Sequence, residues 1–161
     1  GDGWMQKKIR LFGLALAVAC LPIPALATGS LECVIADANL DFDFHGLFPY
    51  SGAAPLFQIG GHADLKEPET QETLKTFEVV AVDLKQQWFE GSDLRLQFYR
   101  ETSGGSTPFA AVKLNIIAVS PGGDDETVYE GSYRLEITPE VKPGSEAVII
   151  KREGKVSCSA G

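Results

Sequence analysis

Two histidines and a run of aspartates stand at alternate positions: Asp41, Asp43 and His45 in one segment, His62 and Asp64 in another. Alternate side chains of an extended strand share a face, about 7 Å apart along the chain and about 5 Å across a ladder. If the two segments pair as a hairpin, all five groups converge. Imidazole nitrogen with carboxylate oxygen would then favour Zn²⁺ or a related transition metal over Ca²⁺. Asp43, His45, His62 and Asp64 are therefore the candidate metal ligands. The plainer alternative is that they form the solvated faces of amphipathic strands in an acidic protein.

Asp37, Asn39, Asp41 and Asp43 also repeat an oxygen donor at every second residue, as a calcium loop does. Phe42 stands where that loop needs a turning Gly, and Phe48 where it needs a bidentate Glu, so the EF-hand reading fails. Calcium on Asp37, Asn39 and Asp41, or at the Asp124, Asp125, Glu126 turn, remains an alternative to the default of no cofactor. Nucleophilic and metallopeptidase chemistry lack their signatures, since the chain has no GxSxG elbow, no HExxH pair and no third histidine. The expectation is a protein that is not an enzyme. Aromatics beside polar donors suit carbohydrate or protein contacts, which makes Phe48, Tyr50, Arg95 and Tyr99 the candidate binding surface. The competing reading folds Phe48 and Tyr50 inward as a cap on the core.

Period two runs through the segments that must position these groups. Leu40, Phe42 and Phe44 alternate with polar residues, as do Leu94, Leu96 and Phe98, and again Tyr133, Leu135 and Ile137. Further strands are expected at Leu31–Ala36, Phe57–Leu65, Glu146–Arg152 and Lys155–Ser159. Thr76–Leu84 and Ala110–Val119 read as strands covered on both faces. A helical turn is expected around Asp83–Phe89, from Leu84 and Trp88 at i, i+4 with Gly91 as the stop. Turn residues separate the strands, and Lys66–Thr73 reads as a polar loop.

Eight or nine short, mostly antiparallel strands imply an all-β fold, a β-sandwich with a closed β-barrel as the alternative. Cys33 and Cys158 lie on the first and last strands. In an oxidising compartment they pair with each other, and a disulfide demands Cα atoms within about 7 Å, so those two strands are expected to be neighbours.

The compartment is read from the amino-terminal region. Lys7, Lys8 and Arg10 precede an apolar run from Leu11 to Leu21, and Ala25, Leu26, Ala27 form a small-x-small site. These are the parts of a cleaved secretory signal, so 1–27 is read as upstream extension plus signal and 28–161 as a single exported β domain. The alternative is a lipoprotein anchored through Cys20. No segment reaches the about 20 apolar residues of a spanning helix. Without residues 1–27, 11 basic residues face 21 acidic ones, a net charge of −10. Such a surface repels nucleic acid and favours cations or a basic partner. The reading is a monomeric, periplasmic or secreted binding domain of a bacterial-type cell envelope. Its ligand would be a protein or a glycan; the alternatives are a metal-binding envelope protein and an inhibitor of a basic envelope hydrolase.

Overall fold

In a computed structural model of the chain, residues 28–49, 55–105, 107–121 and 127–161 are described. Residues 1–27, read above as extension and signal, together with Tyr50 and Asp124–Glu126, fall outside them. Nine strands form: β1 (Thr28–Ala36), β2 (Leu40–Pro49), β3 (Phe57–Leu65), β4 (Thr76–Val79), β5 (Leu84–Glu90), β6 (Asp93–Glu101), β7 (Ala111–Val119), β8 (Val128–Thr138) and β9 (Ile150–Ala160). One short helix, α1 (Glu72–Lys75), precedes β4, and a 3-10 turn at Ala81–Asp83 separates β4 from β5.

All ladders are antiparallel and join the strands into a single sheet, in the order β4-β3-β2-β1-β9-β8-β7-β6-β5. The first and last strands thus lie side by side in the middle of the sheet, and Cys33 stands directly opposite Cys158. Their disulfide spans a Cα separation of 4.0 Å, and both cysteines are buried. The two ends of the sheet are contributed by the middle of the chain.

Alternation explains the core. On β2 the odd positions Asp41, Asp43 and His45 face out, while Leu40, Phe42 and Phe44 face in. The other strands follow the same rule with Leu94, Leu96 and Phe98, and with Tyr133, Leu135 and Ile137. The sheet curls so that its inner faces meet. Phe42 and Phe44 set their rings edge-on to Phe98 of β6 at 5.2 and 5.0 Å, Phe48 meets Phe89 at 5.0 Å, and Phe89 meets Tyr129 at 5.6 Å. Each such pair contributes about 0.5–1.5 kcal/mol beyond the area it buries. The result is a curled half-barrel whose two halves pack as the layers of a sandwich do. Among the described residues no ladder runs from β4 to β5.

Side chains close that gap instead. Arg100 of β6 donates to both carboxylate oxygens of Asp83, at 3.0 and 2.7 Å, and to the Glu78 carbonyl of β4 at 2.9 Å. Its guanidinium also lies over the Phe77 ring, 4.3 Å from the centroid. Asp83, 4% exposed, accepts the Val80 amide at 2.9 Å as well. A charge this buried is tolerable because a fork of donors meets it.

Four sequence expectations need correction. The helical turn around Asp83–Phe89 is strand β5, joined to β6 by the two-residue hairpin Gly91–Ser92, with Gly91 at φ 57°. Leu84 and Trp88 do not share a face, because a bulge between Leu84 and Gln86 shifts the parity and turns Trp88 outward. The strand expected over Thr76–Leu84 stops at Val79, where Asp83 draws the backbone into a turn. Glu146–Arg152 and Lys155–Ser159 are not two strands; β9 runs through Gly154, where a Cβ would press on Asp37 Oδ2 and the Tyr133 ring. Finally, β7 is covered on one face only, with Ile117 and Val119 turned outward.

Candidate functional site

The outer face of β2 and β3 brings the proposed ligands together in register. Asp43 stands opposite His62 and Asp41 opposite Asp64, whereas His45 faces Gly60. Two of the carboxylates are already engaged: Asp41 pairs with Lys66 at 3.0 Å, and Asp64 accepts the Thr76 hydroxyl at 3.1 Å. Among the described residues, no group of three or more His, Cys, Asp or Glu side chains is placed to hold a metal ion. The hairpin geometry expected for these residues is present, and it yields solvent-facing cross-strand pairs.

The aromatic candidates separate. Phe48 turns inward against Phe89, as the competing reading had it, while Arg95 and Tyr99 lie on the outer face of β6. The Tyr99 hydroxyl donates to Glu101 at 2.8 Å, and burial together with that carboxylate raises its pKa.

Arg95 belongs to a larger surface. Ladder pairing aligns Trp88, Arg95, Ile117, Ser132 and Lys155 in one row across β5 to β9, and Gln86, Gln97, Asn115, Arg134 and Glu153 in the next. Apart from Lys155, these residues line an open groove of about 750 Å³ on the outside of the sheet. Trp88 is 54% exposed and Ile117 55%. Gln97 Nε2 donates to Asn115 Oδ1 at 2.9 Å, so the central amides hold each other in place with hydrogen-bonding capacity to spare. The cavity beside the Asp83–Arg100 seam is far smaller, about 20 Å³, roughly one water molecule.

A second polar cluster ties the halves of the sheet together. Asp37, in the β1–β2 turn, accepts the amides of Asn39 and Leu40 at 2.8 and 3.0 Å and the Tyr133 hydroxyl of β8 at 2.5 Å. Burial alone would raise the Asp37 pKa, but the Tyr133 hydroxyl, the two amides and nearby Lys66 outweigh it and lower it. Burial and the same carboxylate push Tyr133 up to about 12. These groups spend their hydrogen bonds on each other, which makes the cluster a lock on the turn.

Sequence reasoning found Arg95 but missed Trp88, Gln86, Gln97, Asn115, Ile117, Ser132 and Arg134. The available signal was the polar face of β6 continued onto its neighbours, and it was obscured at Trp88 by the bulge. Comparisons with protein-family models, with curated proteins and with solved structures found no match for this chain.

Proposed function

We propose that this protein is an exported binding domain of the cell envelope, acting without catalysis, and that the outer groove of β5 to β8 is its recognition surface. One observation carries the reading: a half-exposed tryptophan, an arginine and an isoleucine stand in a row across three strands, flanked by a second row of amides. Aromatic and Arg side chains are the usual anchors of recognition surfaces, and planar amides add directional donors and acceptors. The scaffold beneath is rigid, because every groove residue stands on a strand of one continuous sheet. A protein or a glycan is the ligand class such a surface serves.

The buried Cys33–Cys158 disulfide supports export, since such bonds persist in oxidising compartments. No helix among the described residues is long and apolar enough to cross a membrane. The test is capture from cell-envelope extract on the immobilised protein and on its Trp88→Ala, Ile117→Asp variant. Loss of the captured material in the variant is expected; an unchanged capture profile would remove the groove from consideration.

A further inference from the structure

We infer that the groove takes an anionic carbohydrate, a chain of sugar acids laid across β5 to β8; the inference rests on the groove being the recognition surface. The cations of the domain fall into two groups. Lys66, Lys75, Arg100, Lys113 and Arg152 each lie within 3.2 Å of a carboxylate. Lys85, Arg95 and Arg134 make no ion pair or side-chain hydrogen bond among the described residues, and all three line the groove. Lys155, also unpaired among them, continues its middle row, and the two remaining unpaired cations, Lys142 and Lys151, lie outside the groove. In a domain with nearly twice as many acids as bases, cations left without carboxylates along one groove are placed for anions that come from outside.

Geometry narrows the anion. Arg95 and Arg134 stand two strands and one row apart, so their Cα atoms are about 12 Å from each other and their side chains can hold charges on one extended molecule. Trp88 supplies a flat face for a sugar ring, while Gln86, Gln97 and Asn115 offer the paired donors and acceptors that hydroxyl groups need. An acidic peptide fits less well. The backbone groups of β6, β7 and β8 are consumed by their ladders on both sides, so a peptide lying here cannot add to the sheet as a strand and would lose the main-chain ladder that gives such peptides their affinity. Glu90, Asp93 and Glu130 form the adjoining row, and Glu153 stands opposite Arg134. The first three acids border the groove and Glu153 closes its β9 end, so that together they keep an anionic chain over the arginines.

The chain has two tryptophans, Trp4 and Trp88, so in a Trp4→Phe background, excited at the red edge where tyrosine does not absorb, Trp88 is the sole emitter, and it sits in the groove. Titration with oligogalacturonate should change its fluorescence saturably. Binding should weaken about tenfold or more in an Arg95→Gln, Arg134→Gln variant of unchanged melting temperature, and should weaken between about 0.05 and 0.3 M salt. Cellohexaose binding as tightly as oligogalacturonate would overturn the anionic inference and leave the groove standing. Hexaglutamate matching oligogalacturonate would overturn the carbohydrate class in the same way. Retained affinity in the double variant also defeats the proposal. If Trp88 answers to none of the three probes, the carbohydrate inference fails, and the capture experiment decides the groove separately.

Discussion

The two halves of the sheet share one core and differ on the outside. From Thr28 to Asp83, which spans β1 to β4, two basic residues face ten acidic ones, and both bases, Lys66 and Lys75, are held in ion pairs. From Leu84 onward, nine basic residues face eleven acidic ones, and three cations without an ion pair among the described residues, Lys85, Arg95 and Arg134, line the groove with Trp88 and Ile117. The inner faces are interchangeable in kind, Phe and Leu on both sides. Folding therefore constrains the inside of both halves equally, and the difference in chemistry lies where folding leaves the residue free. The acidic half is a solvating surface; the other half carries the groove proposed for recognition.

That contrast can be broken first at the joints between the halves. Replacing both Cys33 and Cys158 with Ala should lower the unfolding free energy by about 5 kcal/mol on the chain-entropy model for a loop of 125 residues. Urea unfolding measures it, and a loss below about 1 kcal/mol would show that the β1–β9 ladder holds the halves unaided. At the opposite joint, Asp83→Ala leaves the Arg100 guanidinium without its carboxylate and should cost about 3 kcal/mol. A cost near that of an exposed pair, under about 1 kcal/mol, would mean the seam is open in solution.

The Asp37–Tyr133 lock should cost less, about 1–2 kcal/mol for Tyr133→Phe. Its pH dependence has a defined sign. Tyr133 is raised to about 12 from an ordinary 10.0, so its contribution is complete below pH 10.0 and is lost as pH climbs to about 12. Asp37 is lowered from 3.8, so its contribution is present above that value and lost as pH falls through the lowered one. The stability gap between wild type and Tyr133→Phe should thus narrow at both extremes, and a flat gap from acid to alkali would contradict it. The smallest effects belong to the outer faces. Trp88→Ala and the pair Asp43→Asn, His62→Gln should each shift stability by under about 1 kcal/mol. Only the former should abolish ligand binding, and equal loss from both would erase the distinction between the halves.

Much of this was legible in the residues. The β1–β9 contact followed from two cysteines and disulfide geometry, whereas strict alternation put Asp43 and His62 each on one face of its strand and left their register to the structure. Alternation carries no information about bulges, so Leu84 and Trp88 four residues apart resembled a helix face, although Gly91–Ser92 already held a hairpin signal. The Arg100–Asp83 seam was also hidden, because it depends on how far the sheet curls. The groove is assembled from single residues on five strands, and each looks ordinary until the ladders set them in rows.

The sheet order has a consequence for connectivity. The chain's two runs, β1 to β4 and β5 to β9, are each an uninterrupted meander, and a single covalent link joins them at the open side, past Val82, which is 72% exposed. Their pairing runs through β1 and β9 at the other side. A protease that cuts once beside Val82 would therefore leave a two-fragment particle still clasped by Cys33 and Cys158, and reductant would be needed to let the fragments part. The molecule is written as one chain but assembled like a heterodimer whose subunits are tethered end to end.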